Sequence, residues 1–144
     1  MRNDLKIRHG GKILADALVA QGVDLAFGVP GESFLPVLDG FYDLRERFRF
    51  IVCRQEGGAS YMAEAYGKLT GKAGVLFVTR GPGATNGAVG VHTAFQDSTP
   101  MVVFIGQVGN DFVEREAFQE IDYRRMYGPM AKWVAQIDRA ERIP

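Results

Sequence analysis

A chain of 144 residues, 47% hydrophobic and 24% charged, has the length of one domain and enough apolar content to bury a core without metals or disulfides. Its 17 basic and 17 acidic residues cancel to a formal net charge of zero, so no basic surface advertises nucleic acid or an acidic membrane. The lone Cys53 cannot form an internal bridge, Met1-Arg2-Asn3-Asp4-Leu5-Lys6 lacks the apolar core of a signal peptide, and no apolar run reaches the ~20 residues of a membrane helix; a cytoplasmic location is expected.

Residues 10–21 place Ile13, Leu14, Ala17 and Leu18 on one helical face, with Gly22 where a left-handed cap belongs. Leu25-Ala26-Phe27 reads as a short strand, interrupted by Gly28-Val29-Pro30-Gly31. Ser33 then suits the cap of a helix carrying Phe34, Leu35, Leu38, Phe41 and Tyr42, and Arg45-Glu46-Arg47 suits a solvated helix end. A second strand, 50–53, leads into a helix from about Glu56 to Leu69 that Gly71 closes, and Cys53 at the end of the apolar run reads as a buried thiol. Residues 74–79 form a third strand, followed by a small-residue helix through about Phe95, and 101–105 a fourth. Beyond it, 117–125 predicts a short helix, Trp133-Val134-Ala135 a fifth strand, and the last residues the opening of a further helix.

Strands two to four are unbroken apolar runs without alternation, which predicts parallel strands covered on both faces. Strand and helix alternate throughout. The expected fold is α/β, a doubly wound, mainly parallel sheet with helices on both faces, in a single domain over 1–144 with no internal boundary.

Glu56 falls where the period changes from strand to helix, at the carboxyl edge of the sheet, where ligands bind in open α/β folds. As a bare observation it is equally a carboxylate complementing a helix start. The glycines of 28–31, 57–58, 81–83 and 106–109 all follow strands, so the topology crowds them on that same edge, where the missing Cβ admits close approach. The familiar phosphate loops do not fit. Gly67-Lys68-Leu69-Thr70-Gly71-Lys72 is too short for a Walker loop and is followed by Ala73, so it reads as a helix end. Gly81-Pro82-Gly83-Ala84-Thr85-Asn86 has Asn86 in the last glycine position of a dinucleotide fingerprint and no acidic residue at the ribose spacing. His9 and His92 lack neighbours at metal-ligand spacing, and Ser33, Ser60 and Ser98 lack a nucleophile-elbow context.

Taken together, Phe27-Gly28-Val29-Pro30-Gly31, Arg54-x-Glu56-x-Gly58-Ala59, Gly81-Pro82-Gly83-Ala84-Thr85-Asn86, Asp97-Ser98-x-Pro100, Gly106-Gln107-Val108 and Ala117-Phe118-Gln119-Glu120 resemble the pyrimidine-binding domain of thiamine diphosphate enzymes, the acetolactate synthase group above all. The resemblance runs from about Gly11 to Pro144. It implies that Glu56 hydrogen-bonds the N1′ nitrogen of the cofactor's aminopyrimidine and so promotes loss of the thiazolium C2 proton. It also implies that Val29, Pro30, Pro82 and Asn86 surround the pyrimidine, and that Phe118 and Gln119 face the substrate channel of a neighbouring subunit's site.

The sequence departs from the family pattern at Gln55, where histidine is usual, at Gly57, often glutamine, at Arg80, commonly serine, and at Glu32-Ser33, where acetolactate synthases tend to carry Gly-Ala. These positions put the particular 2-oxo acid in doubt and leave Glu56 in place. The Gly-Asp-Gly segment through which the family binds Mg²⁺ and the diphosphate does not occur, nor does the middle domain that carries FAD in some members. By resemblance the chain is therefore a fragment of a longer enzyme or one subunit of a split enzyme, inactive by itself. Its partners would be the diphosphate-binding domain of a neighbouring subunit, in a homodimer or homotetramer, and a small 2-oxo acid such as pyruvate, with neither nucleic acid nor membrane. Two other readings stay open: the pyrimidine subunit of a two-chain decarboxylase acting on sulfopyruvate or phosphonopyruvate, and a non-catalytic assembly module.

Overall fold

The computed structural model of the protein describes residues 7–144, so the reading of the first six residues lies outside it. Its sheet has four parallel strands, β1 (Leu25–Gly28), β2 (Arg49–Val52), β3 (Gly74–Val78) and β4 (Met101–Ile105), in the order β2-β1-β3-β4. Helices α1 (Gly10–Ala20) and α2 (Leu35–Asp43) pack together over one face, and α3 (Glu56–Thr70) and α4 (Gly81–Asp97) over the other. The central strand β3 divides the core: Val75 and Phe77 join Leu18, Phe34, Val37 and Phe41 beneath α1 and α2, whereas Leu76 and Val78 join Ala59, Ala63, Ala84 and Val91 beneath α3 and α4. That alternation is the pleat of one strand serving two cores. The α/β doubly wound fold expected from the sequence is the fold observed.

Local signals set the helix ends. The Gln55 side chain accepts the Gly58 N–H at 2.9 Å and caps α3, which Gly71 closes in the left-handed conformation at φ 70°. Phe77 anchors the first core, with the rings of Phe34, Phe41 and Phe104 centred 4.8 to 5.8 Å from its own. Cys53 is buried as expected, and Gly67 to Thr70 lie in the last turn of α3, not in a phosphate loop. No helix among the described residues is long and apolar enough to cross a membrane.

Five expectations need correction. Full cover on both faces holds for β3 but not for β2 and β4, which are the sheet edges; Val52 of β2 is 63% exposed. Ser33 does not cap α2, because a 3₁₀ turn (Glu32–Phe34) intervenes and the Ser33 hydroxyl pairs with that of Thr79 at 2.9 Å. The helix expected over 117–125 is confined to α5 (Tyr123–Tyr127), capped by Asp122. Upstream of it, the Glu120 carboxylate takes the N–H groups of Glu114 and Ala117 at 2.7 and 3.3 Å, and Gln119 adopts φ 65°, so this stretch closes as a turn. Trp133-Val134-Ala135 joins no ladder among the described residues; Trp133 is exposed and Val134 packs on the second core. The expected terminal helix is a 3₁₀ turn, Ala140–Arg142.

Candidate functional site

Because all four strands run parallel, the segments that follow them meet at one edge of the sheet. Glu56 is the first residue of α3, half-buried, at the positive end of that helix. Asn86 lies in the second turn of α4, and its Nδ2 donates to Glu56 Oε2 at 3.1 Å. Close packing of α3 on α4 makes this bond possible. At the crossing, the buried Ser60 hydroxyl donates to the Gly57 carbonyl at 2.9 Å and accepts the Gly90 N–H at 3.2 Å. Nearer the site, a Cβ on Gly83 would stand 2.9 Å from Thr79 Cγ2 and 3.5 Å from Glu56 Oε1. Glycine there leaves the space beside that oxygen open.

The other residues singled out from the sequence reach this edge separately. Val29 is half-buried against the second core, while Pro30 is exposed beyond β1 and Pro82 in the first turn of α4. Phe118 is 71% exposed, and the Gln119 carbonyl accepts the Gly81 N–H at 2.7 Å, which seats this turn on the start of α4. Among the described residues, Glu56 and Asn86 are the one pair in this set joined by a side-chain hydrogen bond.

Two contacts were missed in the sequence, and both join positions read there as unrelated departures. Arg80, at the end of β3, pairs with Glu32, beyond β1. The Arg80 side chain is 12% exposed and that of Glu32 66%, so the cation is largely withdrawn from water and its counter-ion is not. The guanidinium carbon stands 5.7 Å from the Phe118 ring centre. Opposite charges following neighbouring strands were the available signal. Likewise Gln55 and Gly57 belong together: a Cβ at Gly57 would come within 2.7 Å of the Gln55 Oε1 that caps α3.

Two tyrosines of α5 pack into the second core. Burial raises the Tyr127 phenol to about 12, and its hydroxyl donates to the Ala84 carbonyl at 2.6 Å, tying α5 to α4. Burial also raises Tyr123, and the Arg80 charge opposes that rise.

Comparison with known proteins identifies the family. The family model for the thiamine pyrophosphate enzyme, N-terminal TPP binding domain, matches residues 8–126. The chain is 44% identical over 137 residues to the mitochondrial acetolactate synthase catalytic subunit of Aspergillus candidus, covering 95% of this chain and 20% of that protein. It is 41% identical over 135 residues to the Saccharomyces cerevisiae mitochondrial catalytic subunit, covering 94% and 20%. Against the acetolactate synthase large subunit of Lactococcus lactis it is 41% identical over 139 residues, covering 96% and 24%. The chain thus spans about a fifth to a quarter of the length of these relatives. It belongs to the thiamine pyrophosphate enzymes and carries their N-terminal TPP binding domain.

Proposed function

We propose that this chain is the pyrimidine-binding domain of an enzyme of the acetolactate synthase type, one that decarboxylates a 2-oxo acid such as pyruvate and transfers the acyl unit to a second carbonyl. The observation that carries the reading is the Glu56 carboxyl group, fixed at a strand-to-helix junction by Asn86. The donor set fits an aminopyrimidine, whose ring nitrogen accepts and whose exocyclic amine donates. Glu56 can present a proton at Oε1 while Oε2 stays on Asn86, and Gly83 leaves room beside Oε1.

When bound, thiamine diphosphate supplies a nucleophilic carbon and an electron sink for decarboxylation. In this reading Glu56 holds the proton shared with the ring nitrogen and moves it as the cofactor is activated. Asn86 orients the Glu56 carboxyl group, and Val29, Pro30 and Pro82 form the apolar wall that excludes water. Phe118 and Gln119 serve the substrate channel of a neighbouring subunit.

The diphosphate and its Mg²⁺ would be held by a diphosphate-binding domain of another subunit, in a homodimer or homotetramer, with FAD in the complete enzyme. The isolated chain would then be inactive, and a reducing cytoplasm would suit its single thiol. Calorimetric titration of thiamine diphosphate with Mg²⁺ tests this, first into the chain and then into its assembly with a diphosphate-binding domain. Binding by the assembly alone, accompanied by pyruvate consumption, is the expected result. Binding by neither would remove the cofactor from the account.

A further inference from the structure

Arg80 lies on the same edge as Glu56: Thr79, its neighbour in the chain, would contact a Cβ at Gly83, and so would Glu56 Oε1. A guanidinium held this far from water needs an anion and acceptors for its N–H groups. It has only part of that set. Glu32 engages Nη2, whereas the buried Nε has no hydrogen-bond partner among the described residues. The Tyr123 hydroxyl is likewise buried without a well-formed hydrogen bond, and the Arg80 charge and the Ile121 backbone both act on it. Arg80 Nε and the Tyr123 hydroxyl are the buried side-chain polar atoms left unpartnered among the described residues. Their falling beside one cation is what a missing acceptor would produce.

Resting on the proposed function above, we propose that Arg80 is a specificity-determining residue that selects a 2-oxo acid carrying a second carboxylate. Nε and Nη2 form one edge of the planar guanidinium, and a carboxylate meets both N–H groups in parallel. The single Glu32 oxygen at Nη2 leaves that edge half-used. Glu32 is two-thirds exposed, and an exposed carboxylate is held only weakly, so an incoming dianion displaces it at little cost. The Phe118 ring, over which the guanidinium lies, keeps the cation in place during the exchange. In this account Glu32 is a stand-in for the substrate's distal carboxylate.

The test uses the holoenzyme assembled with its diphosphate-binding domain and loaded with thiamine diphosphate and Mg²⁺. The probes are pyruvate and 2-oxoglutarate, each read by kcat/KM and by calorimetric Kd. Arg80→Ser should lower the 2-oxoglutarate-to-pyruvate ratio of kcat/KM by about 10- to 100-fold, as expected for loss of charge-assisted hydrogen bonds. It should also weaken 2-oxoglutarate binding in the calorimeter. Arg80→Lys should recover part of the ratio, since it restores the charge but not the paired donors. Glu32→Gln, which removes the competing anion, should tighten 2-oxoglutarate binding. If the parent enzyme consumes pyruvate and the ratio is the same in all three variants, the assignment of Arg80 falls while the cofactor reading stands. If the parent binds no thiamine diphosphate, both fall.

Discussion

Asn86 Nδ2 and Glu56 Oε2 lie 3.1 Å apart although 30 residues separate them in the chain. The bond spans the contact between α3 and α4, so it reports how closely those helices are packed and which oxygen of Glu56 is engaged. With Oε2 occupied, the carboxyl group has one orientation and one oxygen left for a ligand.

Asn86→Ala should therefore weaken thiamine diphosphate binding by about 10-fold, the upper end for losing one neutral hydrogen bond. Asn86 is exposed, so the urea midpoint should hardly move. Calorimetry on the assembly with a diphosphate-binding domain and urea unfolding of the chain separate the two effects. An unchanged affinity would mean that Glu56 is oriented without Asn86.

Helix packing should be more sensitive than the exposed site. A Cβ at Gly90 would stand 2.6 Å from the Ser60 carbonyl carbon and 2.7 Å from its Cβ, and neither can yield without moving α3 from α4. Gly90→Ala is expected to cost about 1–3 kcal/mol by urea unfolding, the range for overpacking. Gly58→Ala is the control, because a Cβ there meets nothing within 4 Å and the site is helical. It should leave stability unchanged or raise it by up to ~1 kcal/mol.

Tyr127 gives the fold an alkaline limit. Its folded-state value is raised to about 12 while an unfolded tyrosine titrates near its ordinary 10. The unfolded chain thus loses this proton first as pH rises, and the folded state is disfavoured progressively between those values. Unfolding free energy measured by urea should fall with rising pH across that window and be unaffected by Tyr127 below it. Tyr127→Phe should flatten the decline and, by removing the bond to the Ala84 carbonyl, cost about 1 kcal/mol at neutral pH.

The parts of the fold legible in the sequence were those fixed by neighbours in the chain. The change of period at Glu56, the closing Gly71 and the apolar run of β4 are local signals, and each lies where it was expected. What the sequence left dark depends on distant partners. The run 50–53 is as apolar as that of β3, yet β2 lies at an edge, and no pattern within those four residues reports its place in the sheet. Residues 117–122 have helical composition, but the Glu120 carboxylate and the Gly81 N–H draw their backbone into a turn. Trp133 and Val134 are strand-like residues whose stretch has no strand to pair with among those described. At the site, Glu56 stood out because a carboxylate at a junction is visible locally. Arg80 and Glu32 did not, because their meaning lies in a contact between residues 48 apart.

The most direct measurement is kcat/KM for pyruvate with Glu56→Gln in the assembled holoenzyme, alongside calorimetry showing that thiamine diphosphate still binds. Glutamine keeps the shape and the hydrogen bond to Asn86 but cannot exchange a proton with the cofactor ring. The account predicts a loss on the order of 10³-fold or more with binding retained. Activity within about 10-fold of the parent would contradict it, and would leave the domain as an assembly module.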